Sequence, residues 1–213
     1  MYIYPIKSCR GVAVDIATVS AIGFARDRTW QVVPADLATR GLTQRQHPNL
    51  ATVQPELAPT GGLRLGAPGM PTIDVEPPAG EPICVLSHFK IPVKVTDAGD
   101  TAADWFSTIT GEPVRLVGMP EGTGWRLPDD LDIFGQNAPF SDAAPVLVTA
   151  EASLDWLRER ASEDFGMDRF RPNVVTAVRM RGTRTRGPRS ASAMPNCAAS
   201  SPGRGVRSHR SIR

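Results

Sequence analysis

The feature that most constrains the fold is a series of short strand-like runs between residues 4 and 95, separated by glycine and proline. Val12, Val14 and Ile16 alternate with Ala13 and Asp15, as in a strand with one buried face. Further runs rich in strand-forming residues are Thr29–Val33, Leu63–Leu65, Ile73–Val75, Ile83–Leu86 and Val93–Val95. Many short strands at near-regular spacing predict an antiparallel sheet curled into a barrel or sandwich.

Helices join the strands after residue 95. Thr101–Asp104 resembles a capping box and predicts a helix that ends at Gly111, with Trp105, Phe106 and Ile109 on its apolar side. Val114–Val117 is predicted as the strand that follows. The chain is therefore expected to be mainly β with α, an α+β protein.

A glycine- and proline-rich stretch, residues 118–139, is predicted as a long loop without regular structure. Such a loop is either functional or of no functional importance, and its composition does not decide between the two. Pro145–Val148 is predicted as a buried strand. Thr149 is expected to cap a helix over 151–161, with Leu154, Leu157 and Ala161 facing inward.

The composition is that of a globular chain, with 41% hydrophobic and 22% charged residues. No apolar run approaches the roughly 20 residues that span a bilayer, so no membrane association is expected. The N-terminus lacks both a basic leader and an uninterrupted apolar stretch. These observations predict a cytoplasmic protein.

Three widely spaced cysteines, Cys9, Cys84 and Cys197, show no CxxC spacing. This pattern argues against a disulfide framework and against a zinc or iron–sulfur site. All three are expected to be free thiols, and no metal ligand is assigned to the protein.

The net charge of +2 conceals two segments of opposite sign. Residues 1–177 carry 15 Lys and Arg against 22 Asp and Glu, whereas residues 178–213 carry nine Arg and no acid. This last segment has no Leu, Phe, Trp or Tyr and is predicted to be disordered. Its arginines suggest nucleic-acid binding as one hypothesis, which ranks last because aromatic residues are missing and the remainder is acidic.

The tripeptide Arg171-Pro172-Asn173 precedes a Val-Val run that is expected to form a buried strand. A guanidinium and an amide on either side of a rigid proline are suited to hold an anionic cofactor. The alternative is that Arg171 pairs with a surface carboxylate and Asn173 caps a turn. Taken alone, the tripeptide favours this alternative.

Six segments in order extend the pattern: residues 4–11 (YPIKSCRG), 25–33 (ARDRTWQVV), 42–51 (LTQRQHPNLA), 140–142 (FSD), 148–154 (VTAEASL) and 169–175 (RFRPNVV). Together they resemble the MOSC proteins, the family of the molybdenum cofactor sulfurase C-terminal domain, which includes the amidoxime-reducing components. The resemblance covers residues 4 to about 177. It implies an N-terminal β-barrel domain over 1–95 and an incomplete MOSC β-barrel with flanking helices over 96–177.

The resemblance implies a site for the molybdenum cofactor, a pterin dithiolene that carries a phosphate. Its expected ligands are Lys7, Ser8, Arg28, Thr149, Arg171 and Asn173, which provide cationic, hydroxyl and amide donors. For three of them a structural role is the alternative: Lys7 as a solvated edge residue, Arg28 as a partner of Asp27, and Thr149 as a helix cap.

The metal-ligating cysteine of the family is not found at the matching place. The chain continues after Ala177 into the arginine-rich segment, and Cys197 has none of the expected neighbours. We interpret residues 178–213 as a reading-frame change in a GC-rich gene, which would remove the last strands of the barrel and leave an open edge.

The resemblance implies, for the intact protein, a reductase of N-hydroxylated small molecules or a sulfur-carrying oxidoreductase. Electrons would come from an iron–sulfur or flavin protein, and the catalytic residues stay unknown. The alternative is an inactive remnant that binds the cofactor without catalysis. Pyridoxal phosphate bound at Lys7 is conceivable from the family grouping, but nothing in the residues supports it.

Overall fold

Strands make up most of the regular structure in this computed structural model, which confirms the mainly β fold with α elements. The structure describes residues 1–37, 40–77, 79–87, 89–120, 122–127, 137–142 and 144–177. The strands are β1 (Tyr2–Ile3), β2 (Val12–Ala13), β3 (Val19–Ser20), β4 (Gly23–Phe24), β5 (Trp30–Pro34), β6 (Gln54–Leu57), β7 (Leu63–Gly66), β8 (Ile73–Val75), β9 (Ile83–Leu86), β10 (Pro92–Asp97), β11 (Val114–Gly118), β12 (Trp125–Arg126), β13 (Asn137–Ala138), β14 (Val148–Ala150) and β15 (Val174–Thr176). The helices are α1 (Asp100–Thr110) and α2 (Glu151–Arg158), with 3-10 turns at Pro48–Thr52 and Met167–Phe170.

The largest sheet has the antiparallel order β5-β11-β10-β9. β5 pairs with β11 along its full length, from Trp30 opposite Gly118 to Pro34 opposite Val114. The first four residues of β5 are all buried, because both faces of this strand are covered. β10 instead alternates over its first four residues, in which Val93 and Val95 are buried and Pro92 and Lys94 are exposed.

A second sheet, β6-β7-β8, is an antiparallel meander beside α1. Trp105 and Phe106 of α1 are buried in the same apolar cluster as Leu63 and Leu65 of β7. The helix ends at Gly111, whose left-handed φ of 78° glycine adopts without strain. The predicted capping box is wrong: the cap residue is Gly99, and no side chain caps the helix.

Two other local predictions are wrong because tertiary packing overrides the local pattern. The alternating run ends at Ala13, and Ile16 is 86% exposed. The glycine- and proline-rich stretch contains the paired strands β12 and β13, held by buried Trp125, whose Nε1–H donates to the carbonyl of Pro139 at 2.7 Å. Residues 128–136 lie outside the part that the structure describes.

The parallel pair β14-β15 joins the end of the described chain to its beginning. The Asn173 backbone N–H donates to the carbonyl of Leu147 at 2.8 Å, and the Asn173 carbonyl accepts from the N–H of Tyr2 at 2.8 Å. The prediction of a buried strand at 145–148 is wrong, since Leu147 and Val148 are exposed and the strand begins only at Val148. This pairing brings the Arg171-Pro172-Asn173 segment against β1.

Within the described ranges, neither helix has the length and apolar character needed to span a bilayer. β10 runs across the predicted domain boundary at residue 95, and that boundary stays a prediction. The arginine-rich segment 178–213, with its predicted disorder, lies outside the described residues.

Candidate functional site

A cavity of about 420 Å³ opens between the first strands of the chain and the segment around β14. Its walls come from three stretches that are far apart in sequence: 7–28, 43–45 and 140–171. The lining residues are Lys7, Ser8, Arg28, Thr43, Gln44, Arg45, Phe140, Ser141, Asp142, Ala144, Val146, Leu147, Arg169, Phe170 and Arg171.

The cavity wall is strongly cationic. Five basic side chains line it, namely Lys7, Arg28, Arg45, Arg169 and Arg171, and Asp142 is the acidic residue among the lining positions that the structure describes. An excess of positive charge around a small cavity attracts an anionic ligand.

Arg28 enters the cavity from a buried polar cluster centred on Asp27. The Asp27 carboxylate is fully buried and accepts hydrogen bonds from the Tyr4 N–H at 2.7 Å and from the Asn173 amide at 3.0 Å. Arg28 forms an ion pair with Asp27 through Nη1. Burial raises the pKa of the Asp27 carboxyl, and Arg28 counteracts that rise. Arg28 therefore pairs with Asp27, as the alternative prediction had it, and also lines the cavity.

Asn173 is buried behind the cavity wall rather than in it. Its Oδ1 accepts from Arg28 Nη1 at 3.1 Å and from the N–H of Leu147 at 3.1 Å. Its Nδ2 donates to the Tyr2 carbonyl at 3.2 Å, in addition to Asp27. Asn173 thus orients Arg28 and ties β1 to the segment before β14.

Arg171 reaches into the interior from the opposite wall. Its Nη1 donates to the carbonyl of Cys9, while its Nη2 is buried and has no hydrogen-bond partner in the described part of the chain. Burial and the nearby charge of Arg28 lower the pKa of Arg171. Among the described residues, this guanidinium therefore has no ion-pair partner like the one that Arg28 has in Asp27.

The Tyr4 ring lies beneath both guanidinium groups. The Arg171 Cζ is 4.3 Å and the Arg28 Cζ 5.0 Å from the ring centroid, which are cation–π distances. Burial raises the pKa of Tyr4 to about 12, so the phenol stays neutral and supplies no counter-charge. Arg28 Nη2 also donates to the Arg171 carbonyl at 3.0 Å, which links the two walls directly.

Three cavity residues have backbone angles that non-glycine residues seldom adopt. The φ angles are 71° at Ser8, 51° at Arg28 and 54° at Arg171. Each such residue costs on the order of 1 kcal/mol or more, and strained positions of this kind concentrate at functional sites. Their presence around one cavity supports a role beyond packing.

Lys7 forms the rim of the cavity with Asp142. Its Nζ lies 2.7 Å from Asp142 Oδ1, and the side chains are 11% and 61% exposed. Lys7 is therefore not a solvated edge residue. The Phe140 N–H donates to the Arg28 carbonyl at 2.8 Å and holds this acidic segment next to the arginine cluster.

The structure places Thr149 apart from the other predicted ligands. Its hydroxyl donates to the Met167 sulfur at 3.4 Å, and its carbonyl accepts from the Thr176 hydroxyl at 3.2 Å. It does not cap α2, whose cap residue is Ala150, because Thr149 belongs to the strand β14. Lys7, Ser8, Arg28 and Arg171 thus share the cavity, Asn173 supports it, and Thr149 is absent from its wall.

The described cysteines lie outside the cavity wall. Cys9 is fully buried, and burial raises the pKa of its thiol to about 12 despite the charge of Arg171. Cys84 is exposed, and both are free thiols, as predicted. Within the described ranges, no three His, Cys, Asp or Glu side chains are grouped as metal ligands. Cys197 lies outside those ranges.

Sequence reasoning missed several residues of this site. Asp27 was named only as an alternative partner of Arg28 and not as part of the site. Tyr4 and Arg169 carried no sequence signal, because a ring below two guanidinium groups and a basic side chain in a 3-10 turn depend on contacts across the fold.

Two protein-family models match this chain. A model described as the MOSC N-terminal beta barrel domain matches residues 1–113, and one described as the MOSC domain matches residues 135–186. The second match extends past residue 177, and the interpretation of the following segment as a reading-frame change stays a prediction.

Curated relatives include mitochondrial amidoxime reducing component 2 from Bos taurus, 34% identical over 192 residues. Mitochondrial amidoxime-reducing component 1 from Homo sapiens is 30% identical over 187 residues. Each alignment covers 82% of this chain and 54% of the relative. This chain therefore spans about half the length of the curated relatives it matches.

A solution structure of a Bordetella bronchiseptica protein is 25% identical and covers 51% of this chain and 91% of its own, with a TM-score of 0.39. The relatives from Bos taurus, Rattus norvegicus and Homo sapiens are all named as mitochondrial proteins. They contradict the predicted cytoplasmic location, which is wrong because the composition of the first residues does not encode the compartment.

Proposed function

Because this chain belongs to the MOSC family, we propose that its cationic cavity binds the phosphorylated pterin of the molybdenum cofactor. The observation that carries the proposal is the environment of the Arg171 guanidinium. This guanidinium is buried beside Arg28, it lines the cavity, and its Nη2 has no hydrogen-bond partner in the described part of the chain.

Electrostatics explain why the cavity favours an anion. The guanidinium groups of Arg28 and Arg171 both lie over the Tyr4 ring. Asp27 forms an ion pair with Arg28, whereas Arg171 has no carboxylate contact among the described residues. An uncompensated buried charge destabilises a protein. A phosphate in the cavity would supply the missing negative charge to Arg171, with Lys7 and Arg45 also on the wall.

The size and chemistry of the cavity fit the group. Ligand sites of roughly 300–1,000 Å³ hold small organic molecules, and this cavity measures about 420 Å³. The apolar side chains of Phe140, Val146 and Phe170 line it together with the basic ones. Planar ring systems such as a pterin bind against mixed surfaces of this kind.

In the proposed site this chain's residues bind and orient the phosphorylated end. Arg28 is fixed by Asp27 and Asn173, so its side chain is already positioned before the ligand arrives. When bound, the molybdenum of the cofactor supplies oxidation–reduction chemistry. Ser8 and Thr149 stay predicted ligands: Ser8 lines the cavity, whereas the Thr149 hydroxyl contacts the Met167 sulfur.

The activity we propose for the intact protein is reduction of N-hydroxylated small molecules, with electrons from an iron–sulfur or flavin protein. The relatives named as amidoxime-reducing components support it. The alternative is cofactor binding without catalysis. In its favour, the two described cysteines lie outside the cavity wall, one of them sealed in the core.

The test is to express the full chain in a host that makes the cofactor. Molybdenum is measured by mass spectrometry, and the pterin by fluorescence after oxidation to its stable derivative. Wild-type protein is expected to carry pterin, and Arg171→Gln to lose at least about tenfold of it, as expected when a charge-assisted contact is removed.

Arg64→Gln is the matched control, since Arg64 is exposed on β7 and pairs with Asp74 at 3.8 Å. Arg169→Gln serves as a second variant, in case Arg171→Gln does not fold. Pterin-free wild-type protein from a competent host would overturn the proposal. Protein that carries pterin but reduces no amidoxime with a supplied electron donor would support binding without catalysis.

A further inference from the structure

The ion pair between Lys7 and Asp142 places a carboxylate on the wall of a cavity that is otherwise basic. Lys7 Nζ is 2.7 Å from Asp142 Oδ1, which is the distance of a direct charge-assisted hydrogen bond. Both residues line the cavity. A bound anionic group and Asp142 would therefore compete for the same ammonium group.

We propose that Asp142 is an internal counter-ion that holds the Lys7 ammonium until the anionic group of the ligand replaces it. The inference rests on the proposed function, because it assigns Asp142 a role in selecting that ligand. Asp142 thereby sets how strongly charged an anion must be to occupy the cavity.

The exposure of the two side chains decides which one moves. Lys7 is 11% exposed at its side chain, and its backbone N–H is fixed by the Trp30 carbonyl at 2.9 Å. Asp142 is 61% exposed, so its carboxylate is the better solvated of the two groups when the contact to Lys7 opens. The lysine therefore stays in the wall, and the carboxylate gives up its contact to Lys7.

The same geometry explains how the cavity wall is stabilised without ligand. Lys7, Arg28 and Arg171 would otherwise repel each other, and the ion pair of Asp27 is with Arg28. Asp142 neutralises Lys7 from the open side, where its departure leaves the buried Asp27 cluster intact. Weak anions are excluded because they do not compete with a carboxylate already in contact.

The experiment is a thermodynamic cycle with inorganic phosphate as the probe, measured by titration calorimetry at low ionic strength. Asp142→Asn is expected to bind phosphate roughly threefold to tenfold more tightly than wild type, the gain expected from removing a partly exposed ion-pair partner. Combined with Lys7→Gln, the same substitution is expected to give no gain, because the contested ammonium is gone.

Asp74→Asn is the matched control, since it removes an exposed carboxylate on β8 that does not line the cavity. Asp142→Ala repeats the measurement if the Asn variant does not fold. Weaker or unchanged phosphate binding in the Asp142 variants would overturn the proposal, as would an equal gain in the Lys7→Gln background. Failure of the proposed function itself is recognised separately, because Arg171→Gln would then leave wild-type phosphate affinity unchanged.

Discussion

The side-chain amide of Asn173 donates to the carboxylate of Asp27 across 3.0 Å, and both residues are fully buried. They are 146 positions apart, and each also contacts Arg28. This hydrogen bond connects the segment between β4 and β5 to the residue that precedes β15, the last described strand. It fixes the arginine that lines the cavity, so the fold and the candidate site share one polar cluster.

Replacing Asn173 with Ala is expected to destabilise the fold by about 2–4 kcal/mol, because several buried donors and acceptors lose their partner at once. The free energy of unfolding from guanidinium denaturation measures the effect. Asn49→Ala is the control, since Asn49 is exposed and its side-chain amide donates a hydrogen bond to the Ile109 carbonyl at 3.2 Å. Loss of this hydrogen bond is expected to cost about 0.5–1 kcal/mol. Equal losses in the two variants would contradict the central position of Asn173.

The two described cysteines are expected to differ in reactivity. Burial raises the pKa of the Cys9 thiol to about 12, so at pH 8 it is protonated as well as inaccessible, whereas Cys84 is exposed. Iodoacetamide labelling followed by peptide mass spectrometry is expected to modify Cys84 within minutes and Cys9 only on unfolding.

The shifted pKa of Cys9 also predicts a pH dependence. Its folded-state pKa lies above the ordinary value of 9.0, so its contribution to stability is present below pH 9 and is lost as the pH rises towards 12. Cys9→Ala is expected to flatten the loss of stability in this range. Labelling of Cys9 in the folded protein at the rate of Cys84 would contradict both expectations.

Gly41 lies against the side-chain amide of Gln31, and a Cβ at this position would overlap it. Gln31 is buried in β5 and has little room to move. Gly41→Ala is therefore expected to cost about 1–3 kcal/mol of stability through overpacking. Gly66→Ala is the control, because the nearest atom to its added Cβ would be 4.0 Å away; similar melting temperatures for the two variants would refute the steric argument.

The Asp97 carboxylate stabilises the start of α1. Burial alone would raise its pKa, but the hydrogen bonds from Arg115 and from the Gly99 N–H, at 2.6 Å, lower it below the ordinary 3.8. Its contribution is therefore present above pH 3.8 and is lost as the pH falls through the lowered pKa.

Asp97→Asn is expected to lower the free energy of unfolding at pH 7 by about 1 kcal/mol and to have less effect at pH 2.5. Thermal melts at the two pH values measure this difference. Asp74→Asn is the control, because the Arg64–Asp74 pair is exposed and 3.8 Å long. A loss that does not depend on pH would show that the Asp97 charge plays no part.

The local sequence pattern was sufficient to predict an element where the contacts that stabilise it are close in sequence. The strand Ile73–Val75 and the end of α1 at Gly111 were predicted correctly, because side-chain alternation and a left-handed glycine act within a few residues. The same reasoning failed for the strand at 145–148 and for Trp125. The exposure of Leu147 and the burial of Trp125 both depend on elements far away in the chain.

The sequence by itself determined the β-rich class, the α1 segment, the MOSC family and the basic residues that a phosphorylated ligand needs. Only the tertiary structure decided that Lys7, Arg28 and Arg171 meet around one cavity while Thr149 faces Met167. It also revealed Asp27 and Tyr4 beneath the arginines. The reason is physical: residue type and spacing encode local conformation, whereas burial, and with it the strength of each charge interaction, arises only when distant segments pack together.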